Sequence, residues 1–421
     1  MDENLELRFI AEREEEEEKN DLKKRVWVET KKIWRIAFPS MLARVTSFGM
    51  IIVTQSFLGH IGRAELATFA LIQSIFVRFI NGILIGMSSA TETLCGQAFG
   101  AEQYHMMGIY LQRSWIVDGL MATVSVPLLV FASPIFKLLG QEEEIAEAAG
   151  SISLWFIPML YQMVFQLTMQ MYLQAQLKNF IVGWLSAFSF SLHLLLSWVM
   201  VYKLNWGVAG AMGSLNICCW IMVVGEFVFI FGGWCPNTWK GFSKAAWFDL
   251  WPIIKLSMAS GLMICLELWY TAILVLLAGY MKNATIAIGA FSICDEQVAQ
   301  VISSLSDLLA LSVLFNSFQA ILTGVAIGAG FQSMVAIVNL GCYYIVGLPI
   351  GVVLGYVLNL QVTGLWIGLL SGVAFQIVIL GFIVWRINWD EQVEKASQRL
   401  NRWLINEENK EEHNNQIQCL S

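Results

Sequence analysis

Long apolar runs separated by short polar turns make up most of the chain. Residues 33–59, 66–98, 107–139, 152–174, 180–202 and 208–234 are predicted as six membrane-spanning helices. At 1.5 Å rise per residue each can cross a hydrocarbon core of about 30 Å. Further spans are predicted at 250–280, 301–327, 335–358 and 362–387. Pro39 sits near the start of the first, and Pro127 and Pro134 predict a bend or break in the third. Residues 283–294 are also apolar, but twelve residues reach only about 18 Å and make no crossing. The pattern therefore predicts ten crossings.

One hairpin occurs twice. YKLNWGVAGAMGSL at 202–215 returns as YVLNLQVTGLWIGL at 356–369. Identities fall at Tyr202/Tyr356, Leu204/Leu358, Asn205/Asn359, Val208/Val362, Gly210/Gly364 and Leu215/Leu369. A second set aligns without a gap: Ser40, Gly59, Ala64, Ala67 and Ala70 with Ser260, Gly279, Ala284, Ala287 and Ala290. Such a duplication predicts two halves with the same helix order, a plan of secondary transporters with the substrate site between the halves. The offset is 220 at the upstream pairs and 154 at the hairpin, so the halves differ by 66 residues. That is roughly two helices with their connections. Either the first half gained a pair or the second lost one, and repetition alone does not decide.

Composition agrees with a lipid environment. Of 421 residues 57% are hydrophobic and 14% charged, with mean hydropathy +0.63, against about 25% charged in soluble domains. Lipid leaves only helix bundles or closed barrels, and the continuous apolar runs select helices. The expected fold is an all-α membrane protein of two pseudo-symmetric helix-bundle lobes that differ by roughly two helices. Its parts are an acidic tail (1–32), an N-lobe (33–236), a joining loop (237–249), a C-lobe (250–387) and a C-terminal tail (388–421).

Charge adds an orientation. Much of the acid behind the net −7 lies in the tails, at 14–18 and 407–412, and residues 1–20 are expected to be disordered. No cleavable leader pattern is present, so the first span is expected to direct insertion itself. Lys23, Lys24, Arg25, Lys31 and Lys32 precede that span, with Trp27 and Trp34 as interface anchors. With the N-terminus in the cytosol, Lys178, Lys240, Lys244, Arg386, Lys395, Arg399 and Arg402 fall inside. Only Arg63, Lys137, Lys203 and Lys282 fall outside, as the positive-inside rule requires. The eight cysteines are scattered without a C-x-x-C pair and read as small core residues.

Ionisable residues inside membrane helices are functional candidates. Glu267, in the middle of the seventh span, is the sharpest. A carboxyl buried there can take a proton from one side and lose it to the other, or it can be a structural partner of a lysine or helix end. Arg44 is expected to face the interior and pair with an acid; Arg78, Asp118 and Glu226 are further intramembrane charges. Arg113, near the cytosolic end of its span, can snorkel. His193 fits a satisfied core histidine better than a proton relay. Gln55, Asn81, Asn316 and Gln319 offer a polar solute lining, and Phe76, Phe79, Phe315 and Trp269 aromatic faces for a planar or cationic solute. The glycines of 82–86 and 324–330 let helices approach or bend. No P-loop, G-x-S-x-G, H-E-x-x-H or His/Cys cluster occurs, so neither an enzyme nor a metal or organic cofactor is expected.

TETLCGQAFGA at 91–101, EQYHMMGIYLQRSW at 102–115 and GVAIGAG at 324–330 resemble the multidrug and toxic compound extrusion (MATE) family. CPNTWKGF (235–242) and CLELWY (265–270) look like its plant DETOXIFICATION branch, and the similarity runs from about 28 to 389. The resemblance implies twelve helices in two six-helix lobes, exchanging a proton, or in some members sodium, for an organic solute. Glu267 matches the acidic position of CLELWY, which the family assigns to proton coupling. Members continue from FSIC into the rest of helix eight and helix nine, whereas here Cys294 runs into DEQVAQ. The resemblance thus implies a loss in the second half, including a second acidic residue of helix eight. The implied activity is antiport of organic cations, flavonoids or other xenobiotic or secondary metabolites. The alternative is a shortened, non-transporting form that misfolds or modulates full-length partners. The expected setting is a vacuolar or plasma membrane, with both termini cytosolic. Expected partners are a small organic solute and the bilayer, with no nucleic acid, and the chain is expected to be a monomer.

Overall fold

Hydrocarbon offers backbone N–H and C=O groups no partner, so each segment must pair its own. The computed structural model describes residues 3–138, 143–248, 250–279 and 306–394, and every regular element among them is helical. In the first part of the chain these are α1 (Glu3–Ile61), α2 (Arg63–Ile72), α3 (Arg78–Gly100), α4 (Tyr104–Val130) and α5 (Ala132–Leu138). Next come α6 (Glu143–Leu154), α7 (Phe156–Ala175), α8 (Asn179–Ser197) and α9 (Gly207–Phe229). The remainder are α10 (Trp251–Gly279), α11 (Ser306–Gly328), α12 (Gln332–Asn339), α13 (Leu348–Val352) and α14 (Gln361–Arg386). π-Helical segments at Leu340–Gly347 and Val353–Val357 join α12, α13 and their downstream turn into one span.

Nine helical stretches among the described residues are long and apolar enough to cross a membrane, and α6 with α7, bent by 45°, makes a tenth if read as one span. The predicted break in the third span falls at Phe131, between Pro127 and Pro134. Across the α5–α6 connection Lys137 meets Glu143 at 3.1 Å and Glu147 at 3.6 Å, an exposed set worth little in water. One expectation is corrected: the acidic stretch predicted to be disordered is helical from Glu3 and continues into the first span. The stub 283–294, the junction Cys294–Asp295 and the anchors Ala284, Ala287 and Ala290 lie outside the described residues.

The chain packs as two units, which cut across the sequence halves. One holds residues 1–66 and 176–228, the other 67–175 and 229–421. In the first, α8 lies on α1, with Gly183 against Pro39 and Asn179 Nδ2 donating to Ser40 Oγ at 2.8 Å. Ser189 ties α8 to α9 through the Cys218 carbonyl at 2.6 Å. In the second, α3 and α10 approach so closely at Gly86 that a Cβ there would stand 2.6 Å from the Gly261 Cα. Ser and Thr hydroxyls in both units donate back to carbonyls one turn earlier, as at Thr54–Met50 and Thr168–Val164, which satisfies them without a partner helix.

The repeated hairpin is repeated bond for bond. Leu204 N–H donates to Val199 O and Leu358 N–H to Val353 O, both at 3.0 Å. Trp206 N–H then reaches Met200 O, as Leu360 N–H reaches Leu354 O. Asn205 and Asn359 occupy the same left-handed conformation, φ 52° and 54°, where asparagine is tolerated and β-branched residues are not. Asn359→Val is expected to destabilise the protein by about 1–2 kcal/mol and Asn359→Gly to leave stability near wild type. Denaturant unfolding of the solubilised chain checks both.

Candidate functional site

The second unit buries a line of polar side chains between apolar helices. Glu267 projects from α10 towards α11, where Gln319 Nε2 donates to its Oε1 at 3.1 Å. The same Gln319 amide reaches Tyr343 Oη at 3.1 Å. Tyr343 donates onward to Gln376 Oε1 on α14, and Gln376 Nε2 donates to Asn339 Oδ1 at 2.7 Å. Asn339 closes the line on the Met263 carbonyl of α10 at 3.5 Å. Gln319, Asn339, Tyr343 and Gln376 are all buried, while Glu267 is only half-buried. Four helical spans thus meet at one carboxyl through amides and a phenol, which can both donate and accept.

Local structure explains the register. Tyr343 lies within the π-helical segment Leu340–Gly347, and such widened turns commonly occur at functional sites. Its ring stacks on Tyr270 at 4.7 Å between centroids and 2° between planes. Tyr270 Oη donates to the Gly368 carbonyl at 3.1 Å, and Tyr344 Oη to the Leu266 carbonyl at 2.9 Å. Two tyrosines therefore pin the turn of α10 that carries Glu267.

Trp269 lies two residues beyond Glu267, about 200° around the helix, and faces α3 instead. There it stacks on Phe79 at 6.1 Å and 6°, with both rings exposed. Asn316 is exposed and Asn81 half-buried, and neither makes a hydrogen bond among the described residues. Gln55 is half-buried in the other unit. Phe76 packs on Phe136 at 4.9 Å within the core, so the expectation of a solute-facing ring there is corrected.

The other charges separate by surroundings. Arg44 is exposed and has no ion pair among the described residues, so the expected acid partner is not found there; Arg78 is exposed too. Arg113 does not snorkel: it is buried, and Nη2 donates to the Ala245 carbonyl at 2.9 Å. Asp118 is buried and accepts from Ser88 at 3.0 Å. Glu226 is fully buried, with neither carboxyl oxygen hydrogen-bonded among the described residues. His193 lies against Thr54 Oγ1 at 3.1 Å and Ser197 Oγ at 3.4 Å, a satisfied core histidine. No group of three metal-binding side chains occurs among the described residues.

The loop after α9 forms a strap on α4 and α7. Gln112 Nε2 donates to the Gly241 carbonyl at 3.0 Å and its Oε1 accepts from Ser243 N–H at 2.9 Å. Tyr172 donates to Thr238 at 2.8 Å, and Trp239 and Phe242 pack around Trp115. The CPNTWKGF sequence is thus a fixed element of this unit.

These features meet known proteins at the level of sequence. Residues 39–199 match the MatE family model. Protein DETOXIFICATION 24 of Arabidopsis thaliana is 46% identical over 459 positions, covering 93% of this chain and 92% of that protein. The chain belongs to the MATE family. Protein DETOXIFICATION 25 of the same plant is likewise 46% identical, over 94% of each chain. The crystal structure of the eukaryotic MATE transporter AtDTX14 superposes with a TM-score of 0.80 at 26% identity, covering 88% of this chain and 98% of that one. An outward-facing multidrug resistance MATE transporter shares the fold at a TM-score of 0.68 and 14% identity. Coverage also measures the shortening of this MATE chain. Its 93% share is about 392 of 421 residues, so 459 less 392 leaves about 67 positions of the relative opposite nothing. The offset between the repeats is 66.

Tyr343, Asn339 and Gln376 are site residues that the sequence reading passed over. The available signal was two amides, Asn339 and Gln376, within otherwise apolar spans. Tyr343→Phe leaves the buried amides of Gln319 and Gln376 each short of a partner. It is expected to cost about 1–3 kcal/mol of stability, measured by denaturant unfolding in detergent. Ser317→Ala, at an exposed hydroxyl bonded only within its own helix, is expected to change stability far less.

Proposed function

We propose that the protein is a proton-coupled antiporter that moves organic cations, flavonoids or similar solutes by alternating access. The observation that carries this reading is the Glu267–Gln319 bond at the head of a buried polar line joining four spans. Names of relatives, with detoxification and multidrug resistance among their printed words, agree with the solute class. An ionised Glu267 accepts from Gln319 through a charge-assisted bond, and protonation weakens that bond. Gln319 then shifts towards Tyr343, loosening α11 from α10 and favouring the state that releases solute. The stacked Phe79 and Trp269 rings offer a π face to a planar cation. Sodium is the alternative coupling ion. The protein acts as a monomer in a vacuolar or plasma membrane, with both termini and the strap on the cytosolic side.

The roughly 67 absent positions favour one second reading, a form that folds without transporting and modulates full-length partners. Efflux of a fluorescent organic cation from proteoliposomes with an imposed pH gradient separates the two. Gradient-driven efflux is expected, and Glu267→Gln is expected to abolish it. Efflux indifferent to Glu267→Gln overturns proton coupling there, and no efflux from a folded, monodisperse sample favours the second reading.

A further inference from the structure

In its last turns α3 meets the turn between α11 and α12. Thr93 Oγ1 accepts from Gln332 Nε2 at 2.8 Å and donates to the Ile327 carbonyl at 2.9 Å. Gln332 Nε2 also reaches the Ile327 carbonyl, at 3.2 Å. One turn along α3, Gln97 Nε2 donates to the Gly328 carbonyl at 3.4 Å. Thr93 and Gln332 are 2% and 0% exposed, so separating them costs a buried hydrogen bond, although Thr93 Oγ1 keeps the Ser89 carbonyl of its own helix at 3.1 Å and Gln332 Nε2 keeps the Ile327 carbonyl.

These bonds join different halves of the sequence, and α11 is the element that bridges them to Glu267. Gln319 lies eight residues before Ile327, roughly 12 Å along the same helix. The opposite face of α11, with Val313, Leu314, Phe318 and Ile321, is exposed among the described residues. A displacement begun at the Glu267–Gln319 bond is therefore delivered, along a rigid helix, to the Thr93–Gln332 contact.

We propose that Thr93 and Gln332 form a latch between the two halves, opened and closed by α11 in step with the proton on Glu267. The coupling rests on the transporter reading; the latch itself is measurable without transport. Hydrogen–deuterium exchange of the full chain in nanodiscs reads the amides of residues 329–335. Thr93→Val and Gln332→Leu are each expected to speed their exchange about tenfold, and the double variant to fall short of the product of the two, because the singles share the Thr93–Gln332 bond. Thr93→Ser keeps the hydroxyl and is expected to exchange as wild type. Unchanged strap amides at 238–246 show that each variant is folded. Wild-type exchange in both single variants, or additive effects in the double, overturns the latch. Glu267→Gln is expected to alter exchange at 329–335 alone, and no change there overturns the coupling. Failure of the transporter reading would appear separately, as efflux indifferent to Glu267→Gln.

Discussion

A solvent that makes no hydrogen bonds sets the terms for the whole molecule. It forces the backbone into helices and makes every polar side chain within a span account for its donors and acceptors. Most hydroxyls do so locally, by donating to the carbonyl one turn back. The amides and tyrosines around Glu267 cannot, and they bind across helices instead. That difference separates side chains that merely fit the membrane from those that hold spans in a specific arrangement.

Besides the contacts of Thr93 and Gln97 with the turn between α11 and α12, two places gather several cross-helix bonds. One is the line from Glu267 to Asn339, whose donors and acceptors can exchange roles along its length. The other is the strap, where Gln112, Arg113 and Tyr172 fix the loop that joins the sequence halves. The loop is therefore no slack tether.

Much of the architecture was legible because polarity in a membrane protein marks turns. The spans, the break near Phe131 and the duplicated hairpin all follow from where polar residues interrupt apolar runs. Glu267 and Gln319 were legible for the same reason, as polar groups where hydrocarbon should be. Facing was not. A helix such as α10 is apolar all round, so periodicity carries no sign of which side meets a neighbour. Arg44, read as paired with an acid, has no ion pair among the described residues, and Trp269, read with Glu267, faces another helix. Tyr343 was hidden by type, since a tyrosine in an apolar run looks like packing until its hydroxyl is placed. Arg113 shows the limit from the other side: its partner is a backbone carbonyl far along the chain, which no residue type announces.

Every backbone bond that closes the second hairpin lies within residues 353–364, and those of the first within 199–210. Each turn sets the register of its two helices from its own dozen residues. The 66-residue difference between the repeats lies upstream of the second turn and leaves these bonds untouched.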